Sequence, residues 1–415
     1  MIVKRDQYLN KLIRHKHNDF IKIISGIRRC GKSYLLFNLF KNHLLQQKVD
    51  SSHIITIELD NFKDEKYQNP DECYNYVTSR IQDDQMYYLL LDEVQMMDKF
   101  VSVLNGFLRI KNLDVYVTGS NSKFLSSDVV TEFRGRGDEI RIYPLSFAEF
   151  FSEKKGDWNE AWTDYCVYGG MPAIFNFSTT EEKTKYLKDL FKETYMKDIE
   201  ARNKIKNNEE LEELVNIIAS NIGSLTNPKK LADTFKSVKK KTLTAPTIKQ
   251  YLDYLQDAFI LDKALRYDIK GKKYINTPSK YYFTDVGLRN ACLNFRQFEE
   301  THLMENVIYT ELNIRGYQVD VGEVEILEKS ERYIEKKIEV DFVVNNASKR
   351  YYIQSALSMP TEDKRFQEKR SLINIRDSFK KIIITKENTP IYQDDYGITI
   401  IGLKDFLLNS DSLEF

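Results

Sequence analysis

A chain of 415 residues is too long for one hydrophobic core and is expected to divide into about two or three domains. Its 62 basic residues balance 62 acidic ones, so no global field draws it to nucleic acid or to an anionic membrane, and any such binding must come from a local patch. Cys30, Cys73, Cys166 and Cys292 lie far apart without a CxxC pair, which fits neither a zinc knuckle nor a disulfide framework. With no signal-type amino terminus and no run near the ~20 apolar residues of a spanning helix, a cytoplasmic protein without membrane contact is expected.

From Ile21 to about Tyr143, short β-branched runs (IKIIS, HIITIEL, YYLLLDE, DVYVTGS, DEIRIY) alternate with stretches of helical period, which predicts a parallel sheet flanked by helices. Between the first strand and the helix KSYLLFNLFKNHLL lies GIRRCGKS, Gly26 to Ser33, with the spacing G-x-x-x-x-G-K-[ST]. Such a loop turns its amides toward a phosphate at a helix N-terminus. The whole run Gly26, Ile27, Arg28, Arg29, Cys30, Gly31, Lys32 and Ser33 is therefore the candidate ATP cradle. Lys32 is expected to neutralise the β- and γ-phosphates and Ser33 to ligate Mg2+. Cys30 is either a thiol activated by Lys32 and the helix start or a neutral filler of the loop.

The apolar strand MYYLLLDEVQ delivers Asp92 toward the outer shell of that Mg2+ and Glu93 to a place where it can orient a water. Adjacent acids favour hydrolysis, since phosphoryl transfer to a metabolite needs no water-activating glutamate. The strand DVYVTGSNSKF ends in Thr118, Ser120 and Asn121, which either touch the γ-phosphate and attacking water or cap the next helix. In EFRGRGDEI, Arg134 and Arg136 suit transition-state charge, in the same chain or in a neighbouring copy of a homo-oligomer.

Residues 146–205, with LSFAEFF, WTDYCVY and the Gly169-Gly170 breaker, predict a helical lid or connector after an ATPase core at 1–145. Residues 206–295 show several helices, one opening at TAPTIKQYLDYLQDAFI, then a two-strand tail, the pattern of a winged helix-turn-helix. Lys229, Lys230, Lys236, Lys239, Lys240 and Lys241, with Lys270, Lys272 and Lys273, form a patch at 229–241 and 270–273 that suits phosphate binding. Asp253 and Asp257 on the candidate recognition helix argue against sequence readout, and packing on the ATPase or on another subunit is the equal alternative, beside contact with a protein partner. Residues 296–415 predict a third, α/β unit built on the hairpin EVDFVVNNASKRYYIQSALS.

GIRRCGKS, LLLDEVQ, VTGSNSKFL, EFRGRGDEIRIYPLSFAEF, YGGMP, KYYFTDVGLRNA and EVDFVV together resemble prokaryotic AAA-type ATPases with a C-terminal DUF4143 region. The resemblance implies an α/β fold in which an ASCE-type P-loop parallel-sheet ATPase domain precedes a winged helix and a small α/β domain like the PD-(D/E)xK nucleases. Such a nuclease fold uses a helix carboxylate, a strand Asp and a Glu-x-Lys around Mg2+. Glu305 and Asp341 are candidates for the first two. Strand alternation places Glu339, Asp341 and Val343 on one face, and across the hairpin Gln354 and Ala356 stand where Glu and Lys are needed. Gln354 offers only a carbonyl oxygen, and a lysine would have to come from Lys364 or Lys369. The resulting expectation is a degenerate nuclease site. ATP hydrolysis driving a switch or motor is the leading reading, against an ATP-gated metal nuclease or a slow nucleotide-dependent protein scaffold.

Overall fold

The computed structural model describes residues 3–119, 135–205, 208–238, 243–329 and 333–415. Ser120, Asn121, Arg134 and Lys239 to Lys241 lie outside the described residues. Contacts divide the chain into two units, Met1–Pro144 with Asp257–Phe259, and Leu145–Gln256 with Ile260–Phe415.

The first unit is built on five parallel strands, β1 (Ile21–Ser25), β2 (Ile54–Glu58), β3 (Tyr87–Asp92), β4 (Leu113–Gly119) and β5 (Gly137–Arg141), in the order β2-β3-β4-β1-β5. Helices α1 (Asp6–Arg14), α2 (Lys41–Gln46), α3 (Pro70–Arg80) and α4 (Phe100–Phe107) accompany it. The three inner strands are buried at every position, as expected of a sheet covered on both faces, whereas β5 fully buries only Ile140. That difference explains why IKIIS, YYLLLD and LDVYVTG read as continuous apolar runs. Because β4 lies between β1 and β3, the strand that precedes the Gly-rich loop is not adjacent to the one that carries Asp92. Ser25 pairs with Gly119, and Leu91 with Val117, so the three carboxyl ends finish level.

The second unit opens with helices α5 (Phe147–Lys154), α6 (Trp158–Tyr168), α7 (Thr180–Asp189), α8 (Lys197–Asn203), α9 (Asn208–Ser220), α10 (Pro228–Val238) and α11 (Ala245–Asp257). An eight-stranded sheet follows, built of β6 (Leu261–Asp268), β7 (Lys273–Phe283), β8 (Gln318–Lys329), β9 (Tyr333–Asn346), β10 (Lys349–Ala356), β11 (Lys380–Thr385), β12 (Tyr392–Gln393) and β13 (Thr399–Gly402). Their order is β12-β13-β11-β10-β9-β8-β6-β7. Helices α12 (Val286–Cys292), α13 (Glu300–Ile314), α14 (Glu362–Ile373) and α15 (Leu403–Leu408) complete it.

Three helices and a hairpin do occur in the order expected of a winged helix. The hairpin is not a free wing, however: β6 pairs with β7 on one side and with β8 on the other, Arg266 opposite Val321. The expected boundary between residues 295 and 296 therefore falls inside one continuous sheet.

The sequence runs YGGMP and FTDVGLRNA meet as a structural clasp. Buried Asp285 accepts from the amides of Gly170 (2.7 Å) and Leu288 (2.9 Å). A Cβ at Gly169, whose φ is +69°, would collide with that carboxylate. Asn290 donates to the carbonyls of Cys166 and Val167, and buried Arg289 donates to those of Ala219 and Gln297. These residues saturate main-chain groups that would otherwise be buried without partners.

Candidate nucleotide site

The Gly26–Ser33 loop leaves β1 at the carboxyl edge of the sheet. Gly26 has φ +142°, and a Cβ there would strike the Ile142 carbonyl; Gly31 has φ +102°. Arg29 also takes a positive φ, so the loop coils tightly before the helical run begins at Lys32. Lys32 is buried, and its ammonium donates to the carbonyls of Gly26 (3.0 Å) and Ile27 (3.1 Å), curling over the concavity. Cys30 is fully buried with its Sγ 3.7 Å from the Ile142 carbonyl, which makes it the filler of the loop rather than an accessible thiol.

Asp92 ends β3, 2% exposed. The Thr118 hydroxyl donates to Asp92 Oδ1, and Thr118 Oγ1 accepts from the Glu93 amide at 3.0 Å. Burial raises the Asp92 carboxyl above its ordinary range, while hydrogen bonds from Thr118 and Ser33 pull it down and the Glu93 charge raises it further. Glu93 itself stands in the left-handed region, φ 49° and ψ 47°, and its carboxylate accepts from the Gln95 amide group. A strained non-glycine backbone at the end of a buried strand is common where a side chain must be aimed.

Two features were not legible in the sequence. Arg5, 3% exposed at the start of α1, donates to the carbonyls of Cys30 (3.2 Å) and Tyr143 (2.6 Å), clamping the loop to the segment after β5. Thr118, read only as part of a polar strand end, is the tie that holds Asp92 and Glu93 together. Arg136 lies elsewhere. Its carbonyl accepts from the Ile21 amide at the amino end of β1, roughly 15 Å along the strand from the loop, so within one chain it does not line the site.

The residues fit a phosphate with its cation: a glycine cradle that a Cβ would fill, a lysine over it, and an Asp carboxylate beside a Ser hydroxyl. A helix start and hard oxygen donors suit Mg2+.

The carboxylates of the second unit are arranged differently from expectation. Lys280, on β7 and 2% exposed, places its Nζ 2.9 Å from Glu305 Oε1 and 2.5 Å from Glu339 Oε1. Tyr282 donates to the same Glu305 oxygen (2.7 Å), and Asp341 accepts from the Ser355 amide (2.8 Å). Burial lowers the basicity of Lys280, but Glu305, Asp341 and Glu339 together outweigh it and hold the ammonium charged. Burial and the Glu305 charge push the Asp341 carboxyl well above its usual range.

Gln354 does not join this cluster. Its Oε1 accepts from the Asp341 amide and the Ser371 hydroxyl, each at 3.4 Å. Ala356 packs in the apolar core, Lys364 pairs with Glu368 and Lys369 with Asp394, so neither helix lysine reaches the acids. Asp320–Gly322 of β8 oppose Val343 and Val340, leaving Asp341 and Phe342 opposite a single residue. This bulge breaks the alternation: Val343 packs with Val340, while Phe342 lies against Tyr282 and Tyr309. Among the described residues, no group of three or more His, Cys, Asp or Glu side chains is arranged to hold a metal ion.

Lys229, Lys230, Lys236, Lys270, Lys272 and Lys273 are exposed, and Lys270 pairs with Glu325 at 3.3 Å. Among the described residues, no helix is long and apolar enough to cross a membrane.

Comparison with known proteins matches residues 18–151 to an AAA domain and residues 159–299 to a domain of unknown function, DUF8612. The latter corrects the expected DUF4143 assignment. Among solved structures, the Aeropyrum pernix ORC1 protein in complex with DNA gives a TM-score of 0.30 at 11% identity, covering 70% of this chain and 92% of that one. Cdc6p from Pyrobaculum aerophilum gives 0.30 at 12%, covering 72% and 97%. Both scores are too low to carry an argument. An uncharacterized Methanocaldococcus jannaschii protein is 29% identical over 366 residues, 84% of this chain and 76% of its own. A Haemophilus influenzae protein, also described as uncharacterized, is 33% identical over 413 residues, 98% of this chain and 99% of its own. With that identity along nearly its whole length, the chain belongs to the family of the Haemophilus influenzae protein, and its amino-terminal part is an AAA domain.

Proposed function

We propose that the chain binds ATP with Mg2+ at the carboxyl edge of the five-stranded sheet and hydrolyses it. The observation that carries this reading is the convergence there of the Gly26–Ser33 loop, Asp92, Glu93 and Thr118. The loop amides would bind the phosphates, and Lys32 would exchange the Gly26 and Ile27 carbonyls for phosphate oxygens. Ser33 and Asp92 would hold the Mg2+, which when bound neutralises phosphate charge. Glu93 would orient the attacking water, its backbone fixed by Thr118, and Ser120 and Asn121 would contact the γ-phosphate or that water.

Arg136 stands at the opposite end of the sheet from its own loop, which supports a role for Arg134 and Arg136 at the nucleotide of an adjacent copy. We take turnover to drive a conformational switch or motor in the cytoplasm. Residues 146–205 would serve as connector, and 206–295 and 296–415, which share one sheet, as winged-helix-like and nuclease-like parts of a single module without cleavage. The exposed lysines at 229–236 and 270–273 support contact with nucleic acid phosphates; Asp253, also exposed, opposes sequence readout. Cleavage is not proposed, because the acids that would serve it hold Lys280.

The test is ATP turnover by the intact protein beside Glu93→Gln, with solution mass measured with and without ATP. Turnover lost in the variant, and assembly driven by nucleotide, support the reading. Absence of ATP-Mg2+ binding overturns it.

A further inference from the structure

The carboxylates of the second unit pose a question of charge balance independent of the nucleotide site. Glu305, Glu339 and Asp341 come from α13 and β9, and Glu305 and Asp341 are each only 8% exposed. Two buried acids with a third, partly exposed one beside them need a cation. The Lys280 ammonium contacts Glu305 and Glu339 directly, and its own removal from water is tolerable only because those charges face it. The surrounding polar groups are also engaged: Tyr282 donates to the Glu305 oxygen, the Ser355 amide donates to Asp341 Oδ2, and the Gln354 oxygen accepts from the Asp341 amide and the Ser371 hydroxyl.

We infer that Lys280 is the resident cation of this cluster and excludes a divalent metal from it. A divalent ion ligated by Glu305, Glu339 and Asp341 would sit against the buried ammonium, at a distance where their repulsion is strong. The positive charge that a metal site borrows from solution is here covalently attached through β7. The second unit therefore keeps a positive charge among its carboxylates whatever the cation supply, and acts as a metal-independent module. Replacing Lys280 by a neutral residue should convert the same carboxylates into a cation site.

The experiment measures Mn2+ binding to the full-length, nucleotide-free protein by calorimetry or paramagnetic resonance. The variants are Asp341→Asn, Lys280→Gln and Lys280→Gln with Asp341→Asn. The natural protein and Asp341→Asn should bind Mn2+ equally, any shared binding arising outside the cluster. Lys280→Gln should gain an additional Mn2+ site that the double variant loses. Two results overturn the inference: Mn2+ binding by the natural protein that falls in Asp341→Asn, or a folded Lys280→Gln that gains none. Should Lys280→Gln fail to fold, the natural protein and Asp341→Asn decide alone, equal binding supporting the inference and a loss overturning it.

Discussion

The Thr118 hydroxyl donates to the carboxylate of Asp92, and its oxygen accepts the amide of the following residue, Glu93. One side chain from β4 thereby fixes both acids at the end of β3. Thr118→Val keeps the shape but leaves a buried carboxylate short of a donor. It should destabilise the protein by about 1–3 kcal/mol and weaken ATP-Mg2+ binding. Thermal unfolding with and without ATP-Mg2+ checks both.

Arg5 should act on affinity more than on the chemical step, since it touches the loop from behind, at the Cys30 carbonyl. Arg5→Met removes two charge-assisted hydrogen bonds and should raise the KM for ATP roughly tenfold, the effect of about 1.4 kcal/mol of lost ground-state binding. A smaller change is expected in kcat. Steady-state kinetics across ATP concentrations would separate the two, and a fall in kcat alone would count against this role.

Gly26 tests the cradle directly. Gly26→Ala sets a methyl group against the Ile142 carbonyl at a φ of +142°. A strain of order 1–3 kcal/mol should distort the loop and abolish ATP-dependent thermal stabilisation. Retention of that stabilisation would show that phosphate does not bind here.

The loop, the acidic pair and the parallel sheet were legible because each depends on neighbours in sequence: buried strands read as apolar runs, and glycines fall where the backbone must coil. Arg5 and Lys280 were not. Each acts on partners far along the chain, Arg5 on Tyr143 and Lys280 on Glu305 and Glu339. Lys280 reads as one more charged residue in KYYF, and its burial follows only from the packing of β7 and α13. The faces of β9 were misread because the bulge opposite Asp320–Gly322 shifts the alternation by one residue. The runs YGGMP and FTDVGLRNA are legible as a pair only once Asp285 is seen to bond Gly170.

That clasp sets a pH dependence. Burial pushes the Asp285 carboxyl up to about 6, against the lowering effect of the amides of Gly170, Leu288 and Gly287. The folded state thus holds the proton more tightly than the unfolded chain. The associated stability is fully present below about pH 4 and declines as pH rises through about 6, by roughly 3 kcal/mol for a shift of this size. Asp285→Asn should flatten this part of the profile. Unfolding free energies between pH 4 and pH 7 for both proteins would show it, and parallel profiles would refute it.

The most direct test of the central claim is single-turnover and steady-state ATP hydrolysis by the purified protein with Mg2+, set beside Glu93→Gln. The carboxylate beside Asp92 is proposed to orient the attacking water, so the variant should bind ATP-Mg2+ as the natural protein does while turnover falls by about a hundredfold or more. Unchanged turnover in Glu93→Gln, or no ATP-Mg2+ binding by the natural protein, would contradict the account.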